Sequence, residues 1–565
     1  MAMQNNANPL IARKYLQDWQ NSLKDNLYLN DQDFTHSISL YFPDHRELQE
    51  SLKIFGEKIV NEAEPLVIEN NLPNNLPRLE SYDGIGNKKE QIIHHPTYEK
   101  SGNVIYSSCL LSKMKQAGRL LEALTFLFLS GQLGEAGHNC PMACSAGIIR
   151  VLQKVSDFPE REKLIEKLVE PSFSTNYTGA QFLTEVQGGS DVGANAVEAH
   201  FVDGVWKIYG EKWFCSNANA ELFLIIARYD KEKIGTKGLG LFLIQSKRKD
   251  GSANHFHIRR LKDKIGTRSM ASAEIDFLGA EALPVGALEE GFSLVMENVL
   301  HISRLFNTFC VLGMARRAYT IAKSYAKYRF AFGNPIINYP LVQENLAIIK
   351  AENNALLASI FATTHLQDVC DMEQTKDPNK KLLLRLLANL NKYFSAFWSV
   401  QHIHHALDVL AGNGAIETFS IIPRLLRDCI VCENWEGTHN VLRMQILRDI
   451  HKYQVDQIFI THLNQIVSTE LQSHSKVSII QQQLLKLQKH LDSFKKEDSI
   501  LQSLKIKSLV DEMASLYAAT HLLIESKTSL SKEYCFDLFT LHHLKPQPIL
   551  INKEYVELLK NILSF

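Results

Sequence analysis

Residues Ala196–Phe214 read AVEAHFVDGVWKIYGEKWF. Apolar and polar residues alternate on both sides of Asp203-Gly204, and an Asp-Gly step between two alternating runs is a strong short-range hairpin signal. The stretch therefore predicts two antiparallel strands joined by a tight turn. More strands follow. ELFLIIARYD (Glu221–Asp230) and GLGLFLIQS (Gly238–Ser246) read as buried strands, and HFHIRRLK (His255–Lys262) and ASAEIDFLG (Ala271–Gly279) complete a β block.

On either side of this block the period changes. Apolar residues recur at helical spacing up to about Ile68 and again from about Leu110 to Leu168. LLEALTFLFLSG, from Leu120, is short and carries Glu122, which favours a buried core helix over a membrane span. No run approaches the roughly 20 apolar residues that a membrane helix needs. Asn70–Tyr106 is rich in Asn, Pro and Gly and reads as a long irregular connection. After Gly291 the helical pattern resumes, as in LVQENLAIIKAENNALLASIFATTHL, and it continues through KVSIIQQQLLKLQKHL beyond His451. The expected class is α+β. The expected domains are helical over 1–180 (with the irregular connection at about 70–106), β over 181–290 and helical over 291–450, followed by a helical extension over 451–565.

The bulk numbers fit a multidomain globular chain. The 565 residues are 45% hydrophobic and 22% charged, and Lys+Arg 61 against Asp+Glu 62 leaves a net charge of −1. No global charge excess favours a polyanion. The first residues carry no basic-then-apolar leader pattern, and LSF at the end is not a peroxisomal address. Nine cysteines without framework spacing suggest reduced thiols and a cytoplasmic location. Cys429 and Cys432 form a lone CxxC, for which two small buried residues are the simpler reading than a metal or redox pair. His402, His404 and His405 are expected at a surface or interface, so no metal site is expected.

Two stretches carry chemistry. In FLTEVQGGSD, Gly188 and Gly189 permit close backbone approach to a ligand, with the hydrogen-bonding Ser190 and Asp191 behind them. In ENWEGTHN, a carboxylate stands directly before a Gly-Thr step.

The motifs QFLTEVQGGSD, GEKWFCSN, KIGTRSMAS, YRFAFGNPI, LAGNGAIE, LLRD and WEGTHN occur in the order found in acyl-CoA dehydrogenases. Over roughly Leu110 to Arg448 the chain resembles that family. It looks most similar to the alkylation-response (AidB-type) branch, which has a comparable connection (here PRLESYDGIGN followed by HHPTY) and helical extension. The resemblance implies an N-terminal helical domain, a central β-barrel-like domain, a C-terminal four-helix domain and the extra helical extension. It also implies FAD, and a homo-oligomer, usually a dimer of dimers.

Carried over by position, Phe182, Thr184, Gly189 and Ser190 should face the cofactor. Phe214 stands where a ring-packing tryptophan is common, and Ser216 where a threonine hydroxyl is common. Arg329 should approach the pyrophosphate in an adjacent subunit, with Phe332 near the adenine. Asp408 and Gly412 stand where many relatives have a Gln and a Gly-Gly pair, so the acid departs from the family there. Thr438 and Asn440 should bond the flavin or its phosphates. Thr184, Arg304, Trp435 and Gly437 should line the substrate path. Glu436 matches the family's base, whereas the position of an alternative base reads Ser303-Arg304.

The implied reaction is α,β-desaturation of an acyl-CoA thioester in fatty acid metabolism. Glu436 would take the α-proton, and electrons would pass to an external acceptor such as an electron-transfer flavoprotein. The alternatives are a DNA-associated AidB-type flavoprotein and an acyl-chain-binding protein with little turnover. Residues 451–565 hold thirteen Lys, no Arg and twelve Asp+Glu, a balance of +1 that disfavours DNA without excluding it. Glu433 is expected to be a loop or helix-end charge. Lys262, Lys264 and Arg268 are expected to form a solvated strand end that could meet phosphates.

Overall fold

Asp203 and Gly204 both adopt left-handed backbone, at φ 54° and 81°, the geometry of a two-residue hairpin turn whose twist matches its strands. In the computed structural model, which describes residues 9–545 and 552–565, this turn joins strands in the larger of the sheets. The opening residues 1–8, on which the leader reading partly rests, lie outside that description.

The chain divides into two compact units, one of residues 62–130 and 134–306, the other of residues 1–61, 131–133 and 307–565. In the first unit, β1 (Arg78–Tyr82) and β2 (Lys88–Ile93) form a small antiparallel hairpin. The main sheet contains β3 (Gly179–Phe182), β4 (Glu198–Val202), β5 (Val205–Ser216), β6 (Leu222–Arg228), β7 (Leu239–Gln245), β8 (Phe256–Leu261) and β9 (Ser272–Pro284). Its order is β3-β6-β4-β5-β9-β7, and an added β6–β7 pairing closes a barrel-like ring, with β8 beside β9. β6 and β7 are buried over nearly their whole length, as their continuous apolar runs require. Phe182, Ile208, Cys215, Phe223, Phe242, Ile275 and Phe277 fill the interior.

One expectation is corrected here. The stretch from Asn70 to Tyr106 is not irregular: it holds the β1–β2 hairpin and then a helix, Pro96–Tyr106. The hairpin escapes notice because β2 exposes Lys88, Lys89 and Gln91, so no apolar alternation marks it. The helix begins with Pro at its first position, behind His95 as the cap.

The second unit is helical. Its longer helices are α1 (Pro9–Ser22), α2 (Gln32–Tyr41), α3 (Arg46–Lys58), α4 (His301–Tyr328), α5 (Pro340–Met372), α6 (Pro378–Val409), α7 (Ile422–Asn434), α8 (His439–Tyr453), α9 (Val455–Thr469), α10 (Val477–Phe494), α11 (Ser499–Ser526), α12 (Leu530–His543) and α13 (Lys553–Leu563). Trp19 packs against Tyr325 and Phe419 in one apolar core. The extension is fastened to the rest by buried polar contacts. Asp33 of α2 accepts from Asn354 of α5 and Ser531 of α12, at 3.0 Å each, with Lys350 at 3.5 Å. Lys532 of α12, which pairs with Glu525 out of water, donates to Ser37 of α2 at 2.6 Å. Among the described residues no helix is long and apolar enough to cross a membrane.

His402 corrects a second expectation. It is fully buried, and its Nε2 meets Glu352 at 2.5 Å, while His543 of α12 meets the other carboxylate oxygen at 2.7 Å. His404 is exposed and His405 half-buried.

Candidate active-site elements

Both chemistry-bearing stretches fold into tight turns, one in each unit. In the β unit, Glu185 and Gly188 bond each other's backbone, closing a turn at the end of β3. Gly188 sits at φ 126° with open space where a side chain would project. At Gly189 a Cβ would lie 2.4 Å from Thr184 Oγ1, so only glycine lets the Thr184 hydroxyl keep its place. Gly189 and Ser190 are exposed and Thr184 is half-buried.

A buried ion pair stiffens this turn. Lys212 Nζ reaches Glu185 Oε1 at 2.7 Å and also donates to the Leu183 carbonyl at 3.2 Å. The Glu185 carboxylate further accepts from the backbone N–H groups of Ala196 and Val197 and from the Gln187 amide. Burial alone would raise its pKa; Lys212 and these donors outweigh that and lower it. Sequence reading missed both residues as site builders. The signal was parity, since Lys212 shares a strand face with the buried Ile208.

Between Lys212 and Cys215 the β5–β9 register shifts. This bulge turns Trp213 and Phe214 out together, each half-buried, as bulges commonly do beside binding surfaces. Lys262 Nζ stands 3.5 Å from the Trp213 ring centre and 2.8 Å from Glu274. Lys264 donates to the Met270 carbonyl and the Ser272 hydroxyl. The expected solvated strand end is thus largely spoken for; Arg268 is more exposed than Lys262. Ser216 Oγ lies 3.2 Å from Ser272 Oγ and is half-buried. Phe182, by contrast, turns its ring into the β core, 5.0 Å from Phe223, and the residue is fully buried. Arg304, at the start of α4, is buried.

The helical unit carries the second turn. α7 ends at Asn434, Trp435 is extended, Glu436 takes φ 58° and Gly437 φ 112°, and Thr438 caps α8. A non-glycine residue in left-handed backbone is uncommon and often marks a functional position. Glu436 is half-buried, as is Trp435 beside the apolar core. Thr438 Oγ1 accepts weakly from Val441 N–H at 3.5 Å, and Asn440 Oδ1 accepts from Arg443. Glu433 pairs with His439 at 3.1 Å, a helix-end charge as expected.

Arg329 is exposed, and Phe332 at the tip of the adjoining two-stranded turn is 91% exposed at φ 49°. Asp408 and Gly412 are also exposed. Cys429 and Cys432 are buried free thiols.

The family profile described as "Acyl-CoA dehydrogenase, middle domain" matches residues 180–279, and "Acyl-CoA dehydrogenase, C-terminal domain" matches 289–451. Acyl-CoA dehydrogenase family member 11 of Caenorhabditis elegans is 28% identical over 412 residues, 70% of this chain and 66% of that relative. AidB of Escherichia coli is 28% identical over 395 residues, 67% of this chain and 70% of its own. The C. elegans ACDH-11 structure, in complex with C11-CoA, superposes with a TM-score of 0.84 at 24% identity, covering 94% of this chain and 93% of that one. With the β ring, the Thr184 turn and the Glu436 turn in place, these matches show that the chain carries the middle and C-terminal domains of the acyl-CoA dehydrogenase family.

Proposed function

We propose that the chain is an FAD-dependent dehydrogenase that introduces an α,β double bond into an acyl-CoA thioester, with Glu436 as base. The observation that carries this reading is the Glu436 turn, which spends an uncommon backbone conformation on presenting a carboxylate. A thioester α-proton is only weakly acidic, so the base must be oriented and the developing enolate stabilised. Glu436 would take that proton onto its carboxylate, while its own backbone N–H would donate to the thioester carbonyl. Trp435 would wall the acyl chain.

The residues present suit FAD. Thr184 and Ser216 offer hydroxyls, Phe214 offers a half-open ring, the Gly188-Gly189 step leaves room for close approach, and Arg329 is a free-standing fork for phosphate. When bound, FAD supplies the acceptor for the β-hydrogen as hydride. From it the electrons would pass to a separate protein carrier. The exposed Arg329 and Phe332 would contribute to the cofactor site of a neighbouring copy. A reducing, cytoplasmic setting fits nine free thiols.

The test is anaerobic flavin bleaching by acyl-CoAs of graded length, C11-CoA among them. Wild type should bleach with at least one; Glu436→Gln should retain FAD and lose bleaching by about a thousandfold or more. Equal bleaching by Glu436→Gln would remove Glu436 from the role.

A further inference from the structure

Lys392 lies on α6 with its whole side chain out of water. An ammonium so placed must be matched by acceptors. Its Nζ donates to the Glu433 carbonyl and to the Gly437 carbonyl, each at 2.7 Å. Those two carbonyls bracket the Asn434-Trp435-Glu436 segment. Within it the backbone passes from helix to extended to left-handed, a sequence of states that a glutamate at φ 58° resists because its Cβ crowds the following carbonyl. A cation bonded on both sides of the segment offsets that resistance and fixes the path between α7 and α8.

The next residue of α6 acts on the same stretch. The Tyr393 hydroxyl accepts from Arg443 of α8 at 2.6 Å and donates to Asp511 of α11. The Arg443 guanidinium lies 4.5 Å from the Tyr393 ring centre, and His439 meets that ring edge-on at 5.2 Å. One step of α6 therefore holds the turn through Lys392 and the first turn of α8 through Tyr393.

We propose that Lys392 is a positioning residue for the base: it clamps the turn so that Glu436 presents its carboxylate in one orientation. This inference rests on Glu436 being the base, but the clamp itself can be tested separately. A displacement near 1 Å at a reacting group can cost about a hundredfold in rate, so a released turn should slow chemistry far more than it weakens binding.

Four quantities should be measured for wild type, Lys392→Met and Lys392→Arg: FAD content, affinity for a non-reactive thioether analogue of acyl-CoA, the anaerobic bleaching rate, and amide hydrogen exchange at 434–438. We expect Lys392→Met to bleach about a hundredfold more slowly and to exchange the turn amides about tenfold faster. FAD content and analogue affinity should stay within about threefold, and Lys392→Arg should recover part of the rate. Unchanged exchange at 434–438 overturns the clamp, whatever Glu436 does. Faster exchange with an unchanged bleaching rate overturns the positioning role. If wild type bleaches with no thioester, or Glu436→Gln bleaches normally, the base reading falls, and exchange alone still decides the clamp. Should Lys392→Met not fold, Lys392→Gln takes its place with the same expectations at smaller size.

Discussion

Lys212 and Glu185 meet at 2.7 Å with both side chains essentially removed from water, and the carboxylate also gathers the N–H groups of Ala196 and Val197. Each partner makes the other's burial tolerable. Removing one leaves an uncompensated buried charge, a cost of about 3–5 kcal/mol. Glu185→Gln should therefore lower unfolding stability by several kcal/mol in urea titration at neutral pH. Lys212→Met with Glu185→Gln should recover much of the loss. The Glu185 pKa is lowered by folding, so its contribution is present above the ordinary carboxylate range and fades as pH falls below it. The gap between wild type and Glu185→Gln should narrow in acid, and a gap unchanged from neutral pH down to pH 3 would contradict the pairing.

Glu352 makes a similar case in the helical unit. Burial would raise its pKa, but the contacts with His402 and His543 overcome this and hold the carboxyl at about 2. Folding lowers that pKa, so stability from Glu352 is present above about 4.5 and is lost as pH falls toward 2. Glu352→Gln should cost about 3 kcal/mol at neutral pH and show a flatter acid limb in thermal melts. Because His543 lies on α12, the same variant should loosen the extension first, visible as faster hydrogen exchange in α12.

What could be read from the sequence followed from how regular the local physics is. Asp203-Gly204 announced its hairpin because no other pairing of alternating strands uses that step so readily, and the apolar runs at Leu222 and Leu239 could only be interior strands. The β1–β2 hairpin was missed because Lys88, Lys89 and Gln91 face water, so its polarity looked like a loop. In HIHH, composition gives no clue to which histidine turns inward; helical spacing does, since His402 shares a face with the buried Ser399, Ala406 and Val409. The base turn was legible from Glu-Gly-Thr, but its clamp was not. Lys392 lies 41 residues before Glu433, and no local pattern links such distant positions.

Gly189→Ala should act through Thr184. A Cβ at Gly189 would meet Thr184 Oγ1 at 2.4 Å, and a β-branched side chain cannot swing its hydroxyl aside without leaving its rotamer. Both residues are on the surface side of the turn, so the fold should hold to within about 1 kcal/mol. FAD retention should fall about tenfold, measured by dialysis against apo-protein. Undiminished retention would remove the Thr184 hydroxyl from the cofactor site.

Phe332 is 91% exposed on a two-stranded turn beside the exposed Arg329. A large ring held in water at φ 49° is costly unless something covers it. Phe332→Ser and Arg329→Gln should each shift the assembly toward smaller species in light scattering and release FAD in step with dissociation. A monomeric wild type that keeps FAD through gel filtration would sink the shared-site reading.

The extension's response to DNA follows from where its lysines already go. Lys476 bonds Asp537 and Glu533, Lys495 bonds Asp456, Lys505 bonds Glu497, Lys527 lies 3.8 Å from Glu470, and Lys532 is buried on Glu525. Each such pair must open, or stay behind, before its lysine can displace a counterion from a phosphate. Of the thirteen Lys over 451–565 these five are so engaged, and the other eight stand among twelve acids with no Arg to add a phosphate fork. Each phosphate contact contributes about 0.9 to the salt slope, so the remaining lysines bound it at about −7 and a shallower slope is expected. Duplex binding should be weak at about 50 mM salt and vanish by about 200 mM. Tight binding that persists at the higher salt, together with no bleaching by any thioester, would reverse the ranking of dehydrogenase over DNA-associated flavoprotein. The loss of bleaching separates that outcome from an enzyme that merely touches DNA.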